Sequence, residues 1–562
     1  MWVRPDPGDM VDFQQRRVKK ENASPDGDTQ ITCKTSTKNP VVVTTGEKYK
    51  HENDFEASNT SGLGLTRIYR SKNAVGTLFG SNWMSNIDYP KLTLTNRFKN
   101  WKNVEMYHNA VLTTPEGNRY SYFLGYIDDG NGLSGIYSSR KVGAGYISYE
   151  SDTYTVFMDQ KVYIYDSGGQ IISASDQVAD TYFTYDHESP LGLKVSSRGG
   201  QSIQFINGAN GRVARARDPS GNEWRYEYNA AGMLVKVSSP GVNPDIREYH
   251  YENTSTVAAG TLLTGISING VRYSRYQYYN DGRVQESALA SGEEIDNFEY
   301  GPTSTTVTDA RGQSVIYTFA MLQGQRKITS VSRLGTSTCS GSEAVTFYDA
   351  NGYIDYTLDW NNNTTDYSYD NVGRLQQLTT ASGTSSAATT TYTWNDDDMI
   401  KAEYLDTNGI AYAREEYQYD VSKRVLQEKM TDLTTGAQRI RNYSYVLHPN
   451  FGVAKKSISE QLADGIATTV VNYDVAGNIT SIVNPLNQTE SWSGYNGLGR
   501  PSTYVDINGV TTSYTYDPRG SLLSKSKNGR TTTYTYNNDR QINTARYPDG
   551  SMTRYQYMFR YG

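Results

Sequence analysis

Apolar and polar side chains alternate along short runs of this chain, and turn residues separate the runs. "LGLTRIYRS" at 63–71, "RYSYFLGYIDD" from Arg119 and "DTYTVFMDQKVYIYDSGG" from Asp152 all follow this pattern. A period near two sets one face of a strand against a core and the other toward water. Nothing in 39–183 sustains a helical period, so the region reads as β-rich. Residues 1–38 differ: they are polar, carry "SPDGD" at 24–28, and read as a poorly ordered N-terminal segment.

From about residue 184 the alternation becomes one recurring unit. "YEYNAAGMLVKVSSPG" from Tyr226, "YQYYNDGRVQESALASG" from Tyr276, "YSYDNVGRLQQLTTASG" from Tyr367, "YQYDVSKRVLQEK" from Tyr417 and "YTYDPRGSLLSKSKNG" from Tyr514 are clear copies. The last three Tyr-x-Tyr pairs, from Tyr514, Tyr534 and Tyr555, start 20 and 21 residues apart, the mark of a repeat architecture. In each pair both rings share one strand face: Tyr226 with Tyr228, Tyr276 with Tyr278, Tyr367 with Tyr369, Tyr417 with Tyr419, Tyr514 with Tyr516, and Tyr534 with Tyr536. Asp370, Asp420 or Asp517 then opens a turn through its side-chain oxygen, Gly373 supplies a positive φ, and Arg374 begins the return strand. Asn-Gly pairs at 269–270, 351–352, 408–409, 508–509 and 528–529 signal further hairpins.

A lone hairpin is marginal, so neighbours must pair edge to edge. Residues 184–562 hold about 18 such units, and a twisted sheet of that many strands has to curl. The expected fold is all-β: tandem hairpins forming a curved, spiralling hollow β-shell.

Composition agrees with an ordered repeat. Tyrosines number 48 against 13 phenylalanines, whereas disordered chains are poor in aromatics. A tyrosine buries its ring while its hydroxyl reaches water or a partner, which suits a thin wall. The formal charge is only −6, and no Lys/Arg block is long enough to track a phosphate backbone, so nucleic acid is not an expected partner. "RRVKK" at 16–20 reads as a solvated run. No run of about 18 apolar residues exists, so no helical membrane span is expected. The first residues lack the apolar stretch of a secretory signal.

Candidate chemistry is sparse. Cys33 and Cys339 stand far apart and support neither a disulfide framework nor a zinc site. The five histidines are scattered. "GNGLSG" at 130–135 matches G-x-G-x-x-G but opens no helix, as a dinucleotide loop must. The acidic "DDGNG" at 128–132 and "NDDD" at 395–398 read as solvated turns rather than calcium loops. No catalytic residue, cofactor or metal site is assigned. The repeated Tyr and Trp rings could stack on sugars, but shell packing requires the same rings.

The "YD…GRL…G…Y" unit resembles the YD repeat of the RHS (rearrangement hotspot) family. "NPVVVTTGEKYKHENDF" from Asn39 and "LGLTRIYRSKNAVGTLFGSNWMSNIDY" from Leu63 resemble the domain that precedes the repeats in bacterial RHS proteins, with Asn82 where a second Gly would be expected. The expected organisation is an RHS-type N-terminal domain at 39–114, a β-hairpin continuation at 115–183, and RHS/YD repeats at 184–562.

The resemblance implies a non-enzymatic, secreted or cell-surface shell that encloses a C-terminal toxin cargo, or is completed by a partner chain. The family's self-cleaving core follows its last repeat; "DPSG" at 218–221 and "DPRG" at 517–520 match its short element but lie inside ordinary repeats and read as turns. The final unit loses its turn and return strand after Tyr555, so the chain reads as cut short, with an open edge near 537–562. Two alternatives stand beside the shell: a surface adhesion module for glycans or partner proteins, and a remnant without independent function.

Overall fold

The computed structural model describes residues 40–556, apart from 59–61, 73–77, 101–104, 116–117, 128–133, 140–143, 159, 177–180, 254–258, 323–324, 334–341, 396–397, 450–451, 463–464 and 538–539. The N-terminal segment 1–38, both cysteines and "DDGNG" lie outside the described residues. Among those described there is no helix, and the chain is all-β. It divides into two compact units: residues 343–441, and the described residues of 40–140, 144–342 and 442–556.

The larger unit begins with a four-stranded antiparallel sheet in chain order, Val41–Val42, Glu47–Phe55, Leu65–Arg70 and Trp83–Ser85. Lys91–Lys99 then starts an antiparallel meander in which each strand pairs with the next, through Gln325–Arg333. The expected boundary at 114/115 falls inside this meander. The same pairing runs from Val453–Leu462 to Met552–Arg554. In the smaller unit it runs from the strand ending at Tyr348 to Val425–Asp432. The core of the larger unit is aromatic: Tyr69, Phe79 and Trp83 pack with Phe205, Trp224, Tyr226, Tyr249 and Tyr276.

The turns follow from their residues. Asp370 Oδ1 accepts the backbone N–H groups of Val372 (3.0 Å) and Arg374 (2.8 Å), while Arg374 Nε donates to Asp370 Oδ2 at 2.6 Å. Gly373 has φ 81°, where a Cβ is costly. Asp420 and Asp517 repeat the pattern, taking the N–H groups of Ser422 and Arg424, and of Arg519 and Ser521. In "DVSKR" the glycine's place belongs to Lys423, at φ 64°. Asn82 also takes the left-handed region, φ 65°, so it serves where the family pattern has glycine.

Two of the five Asn-Gly pairs are two-residue hairpin turns with both φ positive, Asn269–Gly270 and Asn528–Gly529. The other three end Asp-x-Asn-Gly loops, where the carboxylates of Asp349, Asp406 and Asp506 accept the backbone N–H of Asn351, Asn408 and Asn508. There the upstream aspartate organises the turn and only the glycine needs positive φ.

Burial works against the charged form of Asp370, but the N–H of Arg374 and its guanidinium prevail and hold the carboxyl below its usual range. Its folded pKa is therefore depressed. The stability it adds is present above the unfolded carboxylate pKa and lost as pH falls through the folded one. Asp370→Ala is expected to cost on the order of 1–2 kcal/mol at neutral pH and to remove part of the acid-limb pH dependence, read by thermal melts across pH.

Candidate functional site

Two features stand out: a charged seam buried beneath the N-terminal sheet, and a tyrosine face that runs along the repeats. Both lie where side chains from distant parts of the sequence must meet.

The strands Glu47–Phe55 and Leu65–Arg70 carry Glu47, Lys48, Glu52, Asp54, Arg67 and Arg70, all at most 3% exposed. Such groups are rarely fully buried unless paired. Arg67 grips Asp54 with two bonds of 2.8 Å, Nε to Oδ2 and Nη2 to Oδ1. Both partners also reach the repeats: Arg67 Nη2 donates to Tyr249 Oη at 3.1 Å, and Tyr226 Oη donates to Asp54 Oδ2 at 2.7 Å. Arg70 pairs with Glu47, and Arg247, from a repeat strand, pairs with Glu52. The Arg67 guanidinium lies 4.9 Å from the Trp83 ring centroid, and Trp83 Nε1 donates to Tyr251 Oη at 3.0 Å. Desolvation, then the Asp54 carboxylate, pushes the Tyr226 hydroxyl far up, so it stays protonated as a donor.

Lys48 is the exception, because no carboxylate bonds it. Its Nζ donates to Ser287 Oγ at 3.2 Å and sits 3.8 Å from the Tyr276 ring centroid. Burial pushes its pKa well down. A neutral lysine beside a serine hydroxyl is the composition of a nucleophile and its base. Here both side chains are fully buried at 0% exposure, so no substrate reaches them and the pair is structural.

The seam covers the first ring of successive repeats: Phe205, Tyr226, Tyr249, Tyr276 and Phe298 are at most 3% exposed. The equivalent rings of later repeats are only half-buried: Tyr367, Tyr392 and Tyr417 in the smaller unit, Tyr514 and Tyr534 in the larger.

The second ring has another task. Its hydroxyl donates to a backbone carbonyl of the preceding hairpin: Tyr228 to Val213 (2.9 Å), Tyr278 to Leu263 (2.6 Å), Tyr419 to Met399 (2.9 Å), Tyr516 to Pro501 (3.0 Å) and Tyr536 to Leu522 (2.8 Å). Trp394 does the same with its indole, Nε1 to Leu375 at 2.7 Å. The acceptor is usually the apolar residue that follows the turn, as in "GRV", "GRL" or "GSL", and that residue pairs with its own repeat's second ring before a β-bulge. Tyr369 sits in the same register, opposite Leu375. One hydroxyl thus staples each hairpin to the last. Tyr536→Phe is expected to cost about 0.5–1.5 kcal/mol, seen as faster amide exchange in Leu522–Lys527 without loss of the sheet.

The "DPSG" and "DPRG" segments are turns, with Asp218 Oδ1 accepting the N–H of Ser220 and Asn222. They also meet: Asn222 Nδ2 donates to Pro518 O at 3.1 Å. Among the described residues no group of three or more His, Cys, Asp or Glu side chains is placed to hold a metal, and no helix is long and apolar enough to cross a membrane.

Comparison with known proteins agrees with the repeat. A family model described as RHS Repeat matches residues 209–241, and one described as a domain of unknown function, DUF6531, matches 38–122. No curated protein matches. Among solved structures, a TcdB2-TccC3-TEV crystal structure is 14% identical, with 82% of this chain and 27% of that chain covered and a TM-score of 0.41. A TcdB2-TccC3 crystal structure gives 11%, 91%, 34% and 0.39, and the Photorhabdus luminescens Tc holotoxin pore 10%, 89%, 30% and 0.37. The chain spans about a quarter to a third of the length of these structures.

Proposed function

We propose that this RHS/YD-repeat chain is a non-enzymatic shell wall, which lies against a polypeptide cargo or a shell-completing partner chain and acts outside the cell that makes it. The observation that carries the reading is the unequal cover of one repeated surface. On the early repeats the first-position rings are sealed by this chain's own residues 41–85. On Tyr367, Tyr392, Tyr417, Tyr514 and Tyr534 the same position is half-exposed, although each ring is bulky enough to stabilise a contact. A wall whose inner rings are sealed only in part has room for a second polypeptide on the rest.

Nitration of surface tyrosines, mapped by peptide mass, tests this. In the chain alone, Tyr392, Tyr417 and Tyr514 are expected to react while Tyr226, Tyr249 and Tyr276 do not. In particles purified from the producing cells the first three become protected. Equal reaction of those three in both samples would overturn the reading.

A further inference from the structure

The repeat spacing is broken at one place, and a cleft lies there. Where other units have Tyr-x-Tyr, residues 492–495 read Trp-Ser-Gly-Tyr, with one residue more between the rings. In the ordinary pairs the rings stack close together, with centroids 6.4 Å apart for Tyr417 and Tyr419 and 6.5 Å for Tyr514 and Tyr516. In the broken unit the strand Thr489–Ser493 stops before the second ring. Gly494 turns to φ 66°, and Ser502 N–H is shared between the carbonyls of Ser493 and Gly494, both at 3.1 Å. The glycine is required on two counts: its φ, and a Cβ there would meet Ser502 Oγ at 2.0 Å. Tyr495 still donates its hydroxyl to the Ile479 carbonyl, so the staple survives. The inserted residue is therefore taken up between the rings, not by the neighbouring hairpin.

The result is an open cleft of about 400 Å³, lined by Trp492, Tyr495, Asn478, Thr480, Asp474 and Gln201, among others. Gln201, from an early repeat, is anchored by its Nε2 to Gly497 O at 3.0 Å, so the far wall is fixed. No Lys or Arg lines the cleft, which disfavours phosphate, sulfate or carboxylate ligands. The Asp474 carboxylate is engaged, Oδ1 with the N–H of Ala476 and Asn478 and Oδ2 with Asn478 Nδ2, which disfavours a cation. What remains is neutral: the Trp492 indole, braced by Tyr504 at 5.1 Å between centroids, the Thr480 and Ser493 hydroxyls, and Asn478, 4% exposed, whose Oδ1 has no donor. An apolar ring face beside neutral hydroxyl and amide groups complements a ligand with C–H faces and many hydroxyls.

We propose that this cleft binds a neutral saccharide of one or two rings, stacked on Trp492 and hydrogen-bonded by Thr480 and Asn478. The site stands whether or not the wall encloses a cargo. The probes are lactose, maltose and N,N′-diacetylchitobiose, titrated into the full chain against glycerol and followed by indole fluorescence and saturation-transfer NMR. Saturable binding of at least one disaccharide in the millimolar range, tighter than glycerol, is expected. It should weaken at least tenfold in Trp492→Ala and at least threefold in Thr480→Val. Deleting Gly494 restores the common Trp-x-Tyr spacing and closes the cleft, and it should abolish binding while the melting transition is kept. The deletion and Thr480→Val also decide the matter should Trp492→Ala fail to fold. No saturation by any of the three sugars, glycerol binding as well as they do, or binding untouched by the deletion would each overturn the site.

Discussion

Asp54→Ala is expected to destabilise the larger unit by about 3–5 kcal/mol, the cost of removing one partner from a buried ion pair. The size follows from what is left behind. Arg67 is fully buried, its Nη1 already has no acceptor, and Asp54 is its only carboxylate among the printed contacts. The substitution also strips the acceptor from Tyr226 Oη, so a second buried donor loses its partner. A domain's whole stability is on the order of 5–15 kcal/mol, so the loss is large. Replacing both partners, as Asp54→Ala with Arg67→Met, removes the stranded charge and should recover more than half of it. Denaturant melts of the two singles and the double check this. Equal cost in the double and the Asp54 single would mean that the pair's charge is not what the fold depends on.

Lys48→Met is expected to act in the opposite direction, stabilising the chain by on the order of 1–3 kcal/mol at neutral pH. Methionine keeps most of the volume and contact with the Tyr276 ring while removing an amine whose sole hydrogen bond is to Ser287. The pH dependence gives the sharper signature. Burial sets the folded pKa of Lys48 well below the unfolded value, so between the two values the unfolded chain binds more protons. Wild-type stability should therefore rise with pH across that window, and the penalty disappears once pH passes the unfolded lysine value. The Met variant lacks that slope. Melting curves from neutral to alkaline pH compare the two. A parallel pair of profiles would show that Lys48 keeps its charge in the fold.

The hairpin repeat was legible because its signals are local. Alternation, an aspartate or asparagine at the turn and a following glycine each act within five residues, and the chain folds there as they dictate. The staple was not legible. Its donor, the second tyrosine, is conspicuous, but its acceptor is a backbone carbonyl about fifteen residues earlier, brought into range by a β-bulge that leaves no mark on the alternation. The buried seam was hidden for a different reason. "EKYKHENDF" has the letters of an exposed strand, and only the facing Tyr226, Tyr249 and Arg247 turn its charges inward. The cleft did have a signal, the extra residue in Trp-Ser-Gly-Tyr, which a strict comparison of spacings between repeats would find. Asn82 shows how a departure from a family pattern resolves: at φ 65° asparagine is the side-chain-bearing residue best suited to stand in for glycine.

The most direct test of the shell reading is a cryo-electron microscopy map of the particle purified from the cells that produce it. The account expects a continuous antiparallel wall with polypeptide density lying against Tyr367, Tyr392, Tyr417, Tyr514 and Tyr534. A map in which those rings face open solvent, with no second polypeptide against the wall, would contradict it.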